Sequence, residues 1–235
     1  MGRARSRAGL THMTNGAIAK SDTSPPTVAT LSTEDAWVTI AQEFHEKWNF
    51  PNCVGGIGGK HCIIQAPIKS GSHFFNYKST FSVVLMAIVD ANYNFTFADV
   101  GCQGRILDDR VFRNTTFYQK LQNNELNLPN DQSLPERQKK MPFVFVADDA
   151  YPLKTHLMKP SDPGTHAGGS EKRIYNYRLS RARRIVENAS AVFRVLRKPM
   201  LLQPDKASLV IMAWVNLENL CYYNQIKHLS SLWPG

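Results

Sequence analysis

Apolar residues first recur with a clear period in the stretch 33–48. They are spaced by three or four positions, as on one face of an α-helix: Ala36, Trp37, Ile40, Ala41 and Phe44. Ser32 or Thr33 supplies a polar N-cap for the first turn, and Pro51 lies just past the last one. The pattern therefore predicts a helix that begins near residue 33 and ends near residue 48.

Strand patterns follow this helix. Residues 54–64 are strand-like but interrupted by glycines, whereas residues 81–89 form a long apolar run. Such a run is typical of a strand that is buried on both faces. Turn-forming residues at 90–94 separate it from a further strand-like stretch at 95–100. The last two strands are therefore predicted to form an antiparallel hairpin.

The second half of the chain alternates between helix and strand patterns. Helices are predicted over 108–121, 176–196 and 209–222. A uniformly apolar strand is predicted over 143–147. Polar stretches at 122–142 and 159–172 contain prolines or glycines and are predicted to be surface loops. A hairpin followed by alternating strands and helices indicates an α/β layered domain.

The length of 235 residues suits one sizeable domain with tails. We expect a disordered basic tail at 1–31, a leading helix within 32–50, the main domain at 51–225 and a C-terminal tail at 226–235. The four cysteines stand apart without the spacing of a zinc site, which favours ordinary thiols in a reducing compartment. No run approaches the roughly 18 apolar residues of a membrane span.

Positive charge is concentrated in one part of the chain. The net charge is +9, and residues 171–198 supply seven of these charges, from nine Lys/Arg and two Glu. A solvated surface is one explanation, and a binding face for nucleic-acid phosphates is the other. The candidate DNA contacts are five arginines: Arg178, Arg181, Arg183, Arg184 and Arg194.

Carboxylates accompany this positive charge. Asp148 and Asp149 end the apolar strand at 143–147, and Glu187 lies on the arginine-rich helix. Mg²⁺ and Mn²⁺ prefer oxygen ligands, and one or two carboxylates together with substrate phosphate can satisfy them. Two such ions can hold the attacking and leaving oxygens of a phosphoryl transfer. The alternative is structural, with Glu187 paired to Arg183 one turn earlier and Asp148 capping the loop after its strand.

Five sequence blocks occur in an order that resembles one family. They are WNFPNCVGGIGGKH at 48–61, NYK at 76–78, VGCQGR at 100–105 with Asp108 after it, FVFVADDAYPL at 143–153 and YNYRLSRARRIVEN at 175–188. The chain resembles the Harbinger (PIF/Harbinger) transposase-derived nucleases, whose catalytic part is a DDE superfamily endonuclease domain. The resemblance extends over about residues 33–225.

The resemblance implies a ribonuclease-H-like fold, in which a mixed five-stranded sheet carries helices on both faces. It also implies a divalent metal cofactor, Mg²⁺ or Mn²⁺, and DNA as the molecule that is cut or joined. Motif by motif, Asp148 corresponds to the second catalytic and metal-binding acid and Glu187 to the third, with Asp108 as an accessory metal-binding acid. A Myb-like DNA-binding protein is an implied partner. We expect a location in the nucleus, with the cytoplasm as the alternative.

The chain departs from the family pattern at its first strand. The family reads Gly-x-Ile-Asp-Gly-x-His there, whereas this chain has Gly58 in the place of the aspartate. Since glycine offers no side-chain ligand, we expect a metal-dependent DNA endonuclease whose activity is impaired. The alternative is a catalytically inactive domain that binds DNA or a protein.

Other side chains in the matching blocks have two interpretations each. His61 contacts metal or phosphate, or it has a structural role as a hydrogen-bonded residue. Lys60 and Lys78 contact phosphate or lie in solvent. Tyr175 and Tyr177 stack on bases, or they pack in the core or at its rim.

Overall fold

The computed structural model describes residues 33–161, 171–190, 196 and 198–232, with side chains as far as residue 221. The tail predicted at 1–31 and the predicted DNA contact Arg194 lie outside the described residues. Within the described helices, no segment is both long and apolar enough to cross a membrane.

Five helices and seven strands make up the described part of the chain. The helices are α1 (Glu34–Trp48), α2 (Asp108–Arg113), α3 (Thr116–Gln122), α4 (Glu171–Ala189) and α5 (Pro204–Leu232). The strands are β1 (Cys53–Ile63), β2 (Ser82–Val89), β3 (Phe95–Gln103), β4 (Gln132–Ser133), β5 (Lys140–Met141), β6 (Val144–Val146) and β7 (Leu157–Met158).

Five of the strands form one mixed sheet in the order β3-β2-β1-β6-β7. The pairs β1–β2 and β2–β3 are antiparallel, whereas β1–β6 and β6–β7 are parallel. All eight residues of β2 are buried, as its uninterrupted apolar run predicts for a strand covered on both faces. The mixed five-stranded sheet that the resemblance implies is therefore confirmed.

Helices lie on both faces of this sheet. A β-carbon added at Gly56 would be 3.2 Å from Cγ1 of Ile185 on α4. One added at Gly59 would be 2.4 Å from Cγ of Asp108 on α2. Because residues 56 and 59 of a strand point to opposite faces, α4 and α2 lie on opposite sides of β1. The arrangement is that of a ribonuclease-H-like fold.

Aromatic side chains connect the helices to the sheet on the side of α3. The ring of Phe145 on β6 makes edge contacts with Trp37 of α1 at 5.9 Å and with Phe117 of α3 at 5.3 Å. Phe97 of β3 lies 5.2 Å from Phe117, and all four rings are fully buried. Trp37 Nε1 donates a hydrogen bond to the Leu126 carbonyl at 2.8 Å, so its polar atom is also satisfied.

Several boundaries differ from the sequence predictions. The helix predicted over 108–121 is two helices: Asn114 is the C-cap of the first, and Thr115 is the N-cap of the second. The predicted loop at 122–142 contains the β4–β5 hairpin, whose strands accept hydrogen bonds from Asn52 Nδ2 at Gln132 O and Met141 O. The short strand β7 was not predicted, since two residues are too few for a sequence period.

The last two helices differ from their predicted ranges at both ends. Helix α4 begins at Glu171 rather than at 176, inside the predicted loop 159–172, and it ends at Ala189 rather than at 196. Helix α5 begins at Pro204, a residue whose fixed φ suits the first helical position. It continues to Leu232 and so enters the range 226–235 that the sequence analysis assigns to a tail.

Candidate functional site: a cleft between β1, β6 and α4

A cavity of about 260 Å³ opens between β1, the end of β6 and α4. Its walls include the three positions that the family resemblance singles out, Gly58, Asp148 and Glu187. The rest of the lining comprises Gly59, Lys60, Leu85, Ala87, Arg183, Val186 and Ser190. The fold therefore brings residues from distant parts of the sequence to one cleft, since β1 and β6 are adjacent parallel strands and α4 lies over them.

Asp148 lies two residues past the carboxyl end of β6, an interior strand of the sheet. Its Oδ1 accepts a hydrogen bond from the Ala150 N–H at 3.1 Å, which is the loop cap that the structural alternative predicts. Burial raises the pKa of Asp148 above its ordinary value, whereas this N–H and the charge of Arg183 oppose the rise. The carboxylate thus has a structural partner and still faces the cleft.

Glu187 is engaged by its own helix. Arg183 Nη1 lies 2.8 Å from Glu187 Oε1, one turn earlier on α4. The Glu187 side chain is 56% exposed and that of Arg183 is 25% exposed, so the pair sits at the mouth of the cleft rather than inside the core. The ion pairing that the sequence left as an alternative is present.

Gly58 faces α4 at the floor of the cleft. A β-carbon at this position would be 2.9 Å from Cγ1 of Val186, which is closer than a normal carbon–carbon contact. A β-branched residue in a helix has one strongly preferred rotamer, so Val186 yields little space by rotation. An aspartate at position 58 would therefore require α4 or Val186 to move slightly.

Asp108 lies on the other side of β1 from the cleft floor. Its carboxyl group rests on Gly59, and its Oδ1 is buried without a hydrogen-bond partner in the described part of the chain. Burial, with the negative charges of Asp148 and Asp109, raises the pKa of Asp108 to about 6, and the charge of Lys78 works in the opposite direction. The charge of Asp148 therefore affects the pKa of Asp108, although Asp148 faces the cleft and Asp108 lies on the other side of β1.

His61 is held in place by hydrogen bonds. Its Nδ1 lies 2.9 Å from Ser82 Oγ, which in turn accepts a hydrogen bond from Asn76 Nδ2 at 2.8 Å. Ser82 Oγ can donate to Nδ1 or accept from it, according to the tautomer of the ring, and Nε2 lies 4.0 Å from Asp108 Oδ1. Burial and the charge of Lys78 lower the pKa of His61. These contacts support the structural interpretation of this residue.

The predicted basic contacts are not all in one place. Arg183 lines the cleft, and Lys60 Nζ donates a hydrogen bond to the Ser190 carbonyl at its edge, at 2.8 Å. Arg181 lies two residues from Arg183, so helical geometry turns it about 200° around α4. Arg178 and Arg184 are exposed. Only part of the predicted arginine set therefore borders the cleft.

The two tyrosines of α4 also differ from each other. Tyr175 is half-buried and its hydroxyl donates to the Lys159 carbonyl at 2.9 Å, which fixes it at the rim of the core. Tyr177 is 63% exposed, and the guanidinium of Arg181 lies 5.8 Å from its ring centre. Of these two tyrosines, only Tyr177 has a ring face that a DNA base can reach.

The cleft residues do not fit a metal pair as they stand. Among the described residues, there is no place where three or more His, Cys, Asp or Glu side chains converge so that they could hold one ion. Position 58 offers no oxygen, Glu187 is paired with Arg183, and the orphaned oxygen of Asp108 lies across β1.

Two features of this site were not predicted from the sequence. Val186 covers Gly58, and Asn76 with Ser82 orients His61. Val186 directly precedes Glu187, and its residue type does not indicate which strand position it covers. Asn76 carried a usable signal, because an asparagine in a Ser/Thr-rich turn is typically bonded to the backbone of that turn.

Comparison with known proteins places the chain in a family. A family model with the description "DDE superfamily endonuclease" matches residues 57–219. The chain is 28% identical over 123 residues to Protein ALP1-like of Arabidopsis thaliana, an alignment that covers 52% of this chain and 30% of the relative. The aligned part thus spans about a third of that curated relative, and no solved structure matches. The resemblance to the transposase-derived nucleases is confirmed, and the chain belongs to the DDE superfamily endonucleases.

Proposed function

We propose that this chain binds DNA at the cleft beside α4 and that its metal-dependent strand cleavage is impaired. The observation that carries the proposal is the position of Gly58 between Asp148 and Glu187, in a cleft whose other charged residues are Lys60 and Arg183. Endonucleases of this superfamily generally use divalent metals, and three acids hold such ions more firmly than two. Asp148, Glu187 and Asp108 remain the candidate metal-binding acids of a restored site.

The charge balance of the cleft favours binding over cleavage. With all four groups ionised, the two carboxylates are matched by Lys60 and Arg183. A third carboxylate would make the cleft negative and would repel a DNA phosphate unless cations were bound. Because glycine occupies that position, a phosphate group can approach with less repulsion and without a metal.

The basic surface of α4 extends this cleft. Arg184 and Arg178 are exposed, and Tyr177 presents an aromatic face beside Arg181. Arginine contacts to phosphate oxygens position DNA without reading its sequence. We therefore propose binding with little sequence preference by this domain, with α4 running along the phosphate backbone.

Salt dependence of DNA affinity tests the binding proposal. Affinity for a short duplex should fall steeply between low and moderate salt, because binding releases counterions from the DNA. The substitution Arg184→Gln should weaken binding and reduce the slope of log affinity against log salt by about 1. Lys139→Gln, on the exposed β4–β5 connection, is a matched control that should leave the slope unchanged.

A shallow slope, or equal effects of Arg184→Gln and Lys139→Gln, would contradict binding through α4.

Arg183→Gln tests the contribution of the cleft itself. It removes a cation from the cleft and releases Glu187 from its ion pair, so it should weaken binding more than Arg184→Gln does.

A second candidate function is protein binding. The exposed apolar residues Leu209, Leu217 and Leu220 lie on α5, and exposed leucines in a row are typical of interaction surfaces. By resemblance we propose a Myb-like DNA-binding protein as the partner and the nucleus, rather than the cytoplasm, as the location. Failure of a co-expressed Myb-like protein to co-purify with the chain, or a cytoplasmic distribution of the tagged chain, would contradict these two proposals.

A further inference from the structure

Tyr77 is a large aromatic side chain that the fold leaves in solvent. It is 76% exposed, in the connection between β1 and β2, and none of the proposed contacts above uses it. A single exposed apolar residue is ordinary on a protein surface. Two further observations, the rigidity of its loop and the identity of its neighbours, distinguish Tyr77 from such a residue.

The loop that carries Tyr77 is fixed by the side chain of Asn76, which is only 4% exposed. Asn76 Oδ1 accepts hydrogen bonds from the backbone N–H groups of Lys78 at 2.9 Å and Thr80 at 3.2 Å. Its Nδ2 donates to Ser82 Oγ at 2.8 Å, and its own N–H donates to the Thr80 carbonyl at 2.8 Å. One buried amide thus holds both ends of the turn that projects Tyr77.

The same turn includes a residue in an uncommon backbone conformation. Ser79 has φ of 60°, in the left-handed region that residues other than glycine adopt at a cost. The hydrogen bonds of Asn76 enforce this conformation. Tyr77 and Lys78 are therefore presented by a preorganised turn, which reduces the entropy lost when a ligand binds to them.

The neighbours of Tyr77 are polar groups of the kind that contact nucleotides. Its ring lies 5.5 Å from the ring of His61 in an edge-to-face arrangement, and Lys78 Nζ lies 5.3 Å from its centre. Lys78 also lowers the pKa of both His61 and Asp108. An aromatic ring and a cation therefore sit together next to His61, on the Asp108 side of β1.

We propose that Tyr77 and Lys78 form a nucleotide subsite, in which Tyr77 stacks on an unpaired DNA base and Lys78 contacts a neighbouring phosphate. The inference rests on the proposed DNA-binding function and names the form of DNA that the site takes. A paired base inside a duplex has both faces covered by its neighbours, so an exposed ring can stack only on a base that has left the helix or lies in a single strand. The subsite therefore selects frayed ends, overhangs or flipped bases over intact duplex.

A pair of DNA probes tests the proposal with the full chain. One probe is a blunt duplex, and the other is the same duplex with a short single-stranded overhang that contains 2-aminopurine, whose fluorescence is quenched by stacking. The natural chain should bind the overhang probe more tightly and quench its fluorescence. Tyr77→Ala should weaken binding of the overhang probe about 10-fold and remove the quenching, with less than about 2-fold change on the blunt duplex.

Tyr77→Phe is the matched variant because it keeps the ring and loses only the hydroxyl. It should retain both the affinity for the overhang and the quenching. Leu201→Ala, which shortens a side chain that is 80% exposed and belongs to none of the proposed surfaces, should behave as the natural chain does. Lys78→Gln should reduce the salt slope for the overhang probe by about 1 while the quenching persists.

The outcomes separate this inference from the proposed function. Unchanged overhang binding and quenching in Tyr77→Ala would overturn the subsite, and so would equal losses in Tyr77→Ala and Tyr77→Phe. If the natural chain binds neither probe at low salt, the DNA-binding function itself is wrong, and the subsite with it. Loss of overhang preference in Tyr77→Ala alone supports the subsite.

Discussion

Gly58 and Gly59 are adjacent on β1, but their missing side chains have different consequences for the structure. Gly59 is required by packing, since a β-carbon there would overlap the carboxyl carbon of Asp108 at 2.4 Å. Gly58 faces α4 and provides no side-chain oxygen at the position where the family resemblance implies an acid. The sequence shows both glycines and, by resemblance, which one replaces an acid. It does not show that Asp108 rests on the other, because that contact depends on the position of α2 over the sheet.

Asp108 should make the fold less stable at neutral pH than at acidic pH. Its pKa in the folded chain is about 6, above the value of about 4 for an unfolded aspartate. The folded state therefore binds this proton more tightly. The resulting stabilisation is complete below about pH 4 and is lost as the pH rises through about 6.

The substitution Asp108→Asn should accordingly raise the free energy of unfolding by about 1–2 kcal/mol at pH 7.5, and by much less at pH 4. Urea unfolding at the two pH values measures this difference. Asp131→Asn, at an exposed loop position, is the control and should show no such pH dependence. A stabilisation by Asp108→Asn that is equal at both pH values would contradict the assigned role of the buried carboxyl group.

At the scale of elements, α4 determines what the cleft can do. Its buried stripe of Leu179, Ala182 and Ile185 seats it against the sheet, and this places Arg183 and Glu187 at the rim. The helical period of the sequence predicted a helix over 176–196, but not these three buried positions. The Arg183–Glu187 pair was one of the two interpretations of Glu187. The start of α4 at Glu171 was not predicted, because the polar first turns carry no apolar period.

The break between α2 and α3 is set by one side chain. Thr115 is fully buried, and its Oγ1 accepts a hydrogen bond from the Tyr118 N–H at 3.1 Å and donates one to the Phe112 carbonyl at 2.6 Å. A threonine that bonds to the local backbone in this way ends one helix and starts the next. The sequence prediction of a single helix at 108–121 was wrong because it followed the apolar period alone.

Replacing this cap should destabilise the chain. Thr115→Ala is expected to lower the free energy of unfolding by about 1–2 kcal/mol, through loss of the N-cap and of the bond to Phe112. Thr116→Ala removes the same groups from the adjacent, exposed position and should change stability by less than about 0.5 kcal/mol. Equal effects of the two substitutions in chemical denaturation would show that Thr115 is not a cap.

For the whole molecule, the sequence predicted the sheet and its two helical layers through the family resemblance, and the cleft follows from them. Asp148 lies at the carboxyl end of a strand parallel to β1, so its proximity to position 58 is a consequence of topology. The partners of the two cleft carboxylates could not be predicted in the same way. Pairing of Glu187 with Arg183 and of Asp148 with the Ala150 N–H depends on side-chain geometry that the residue types permit but do not require.

We propose a nuclease scaffold whose cleavage is impaired because Gly58 stands in place of an acid. Restoring the acid tests it, and the contact with Val186 indicates that Gly58→Asp needs additional space. Val186→Ala removes the methyl groups nearest to position 58. The natural chain, Gly58→Asp, Gly58→Asp with Val186→Ala, and that double variant with Asp148→Asn form a matched set.

Nicking of supercoiled DNA by these four proteins in Mg²⁺ or Mn²⁺ is the most direct measurement. We expect no metal-dependent nicking by the natural chain, nicking by the double variant, and loss of that nicking when Asp148→Asn is added. Metal-dependent nicking by the natural chain that disappears with Asp148→Asn or Glu187→Gln would contradict the claim. A folded double variant without activity would contradict the assignment of the impairment to Gly58.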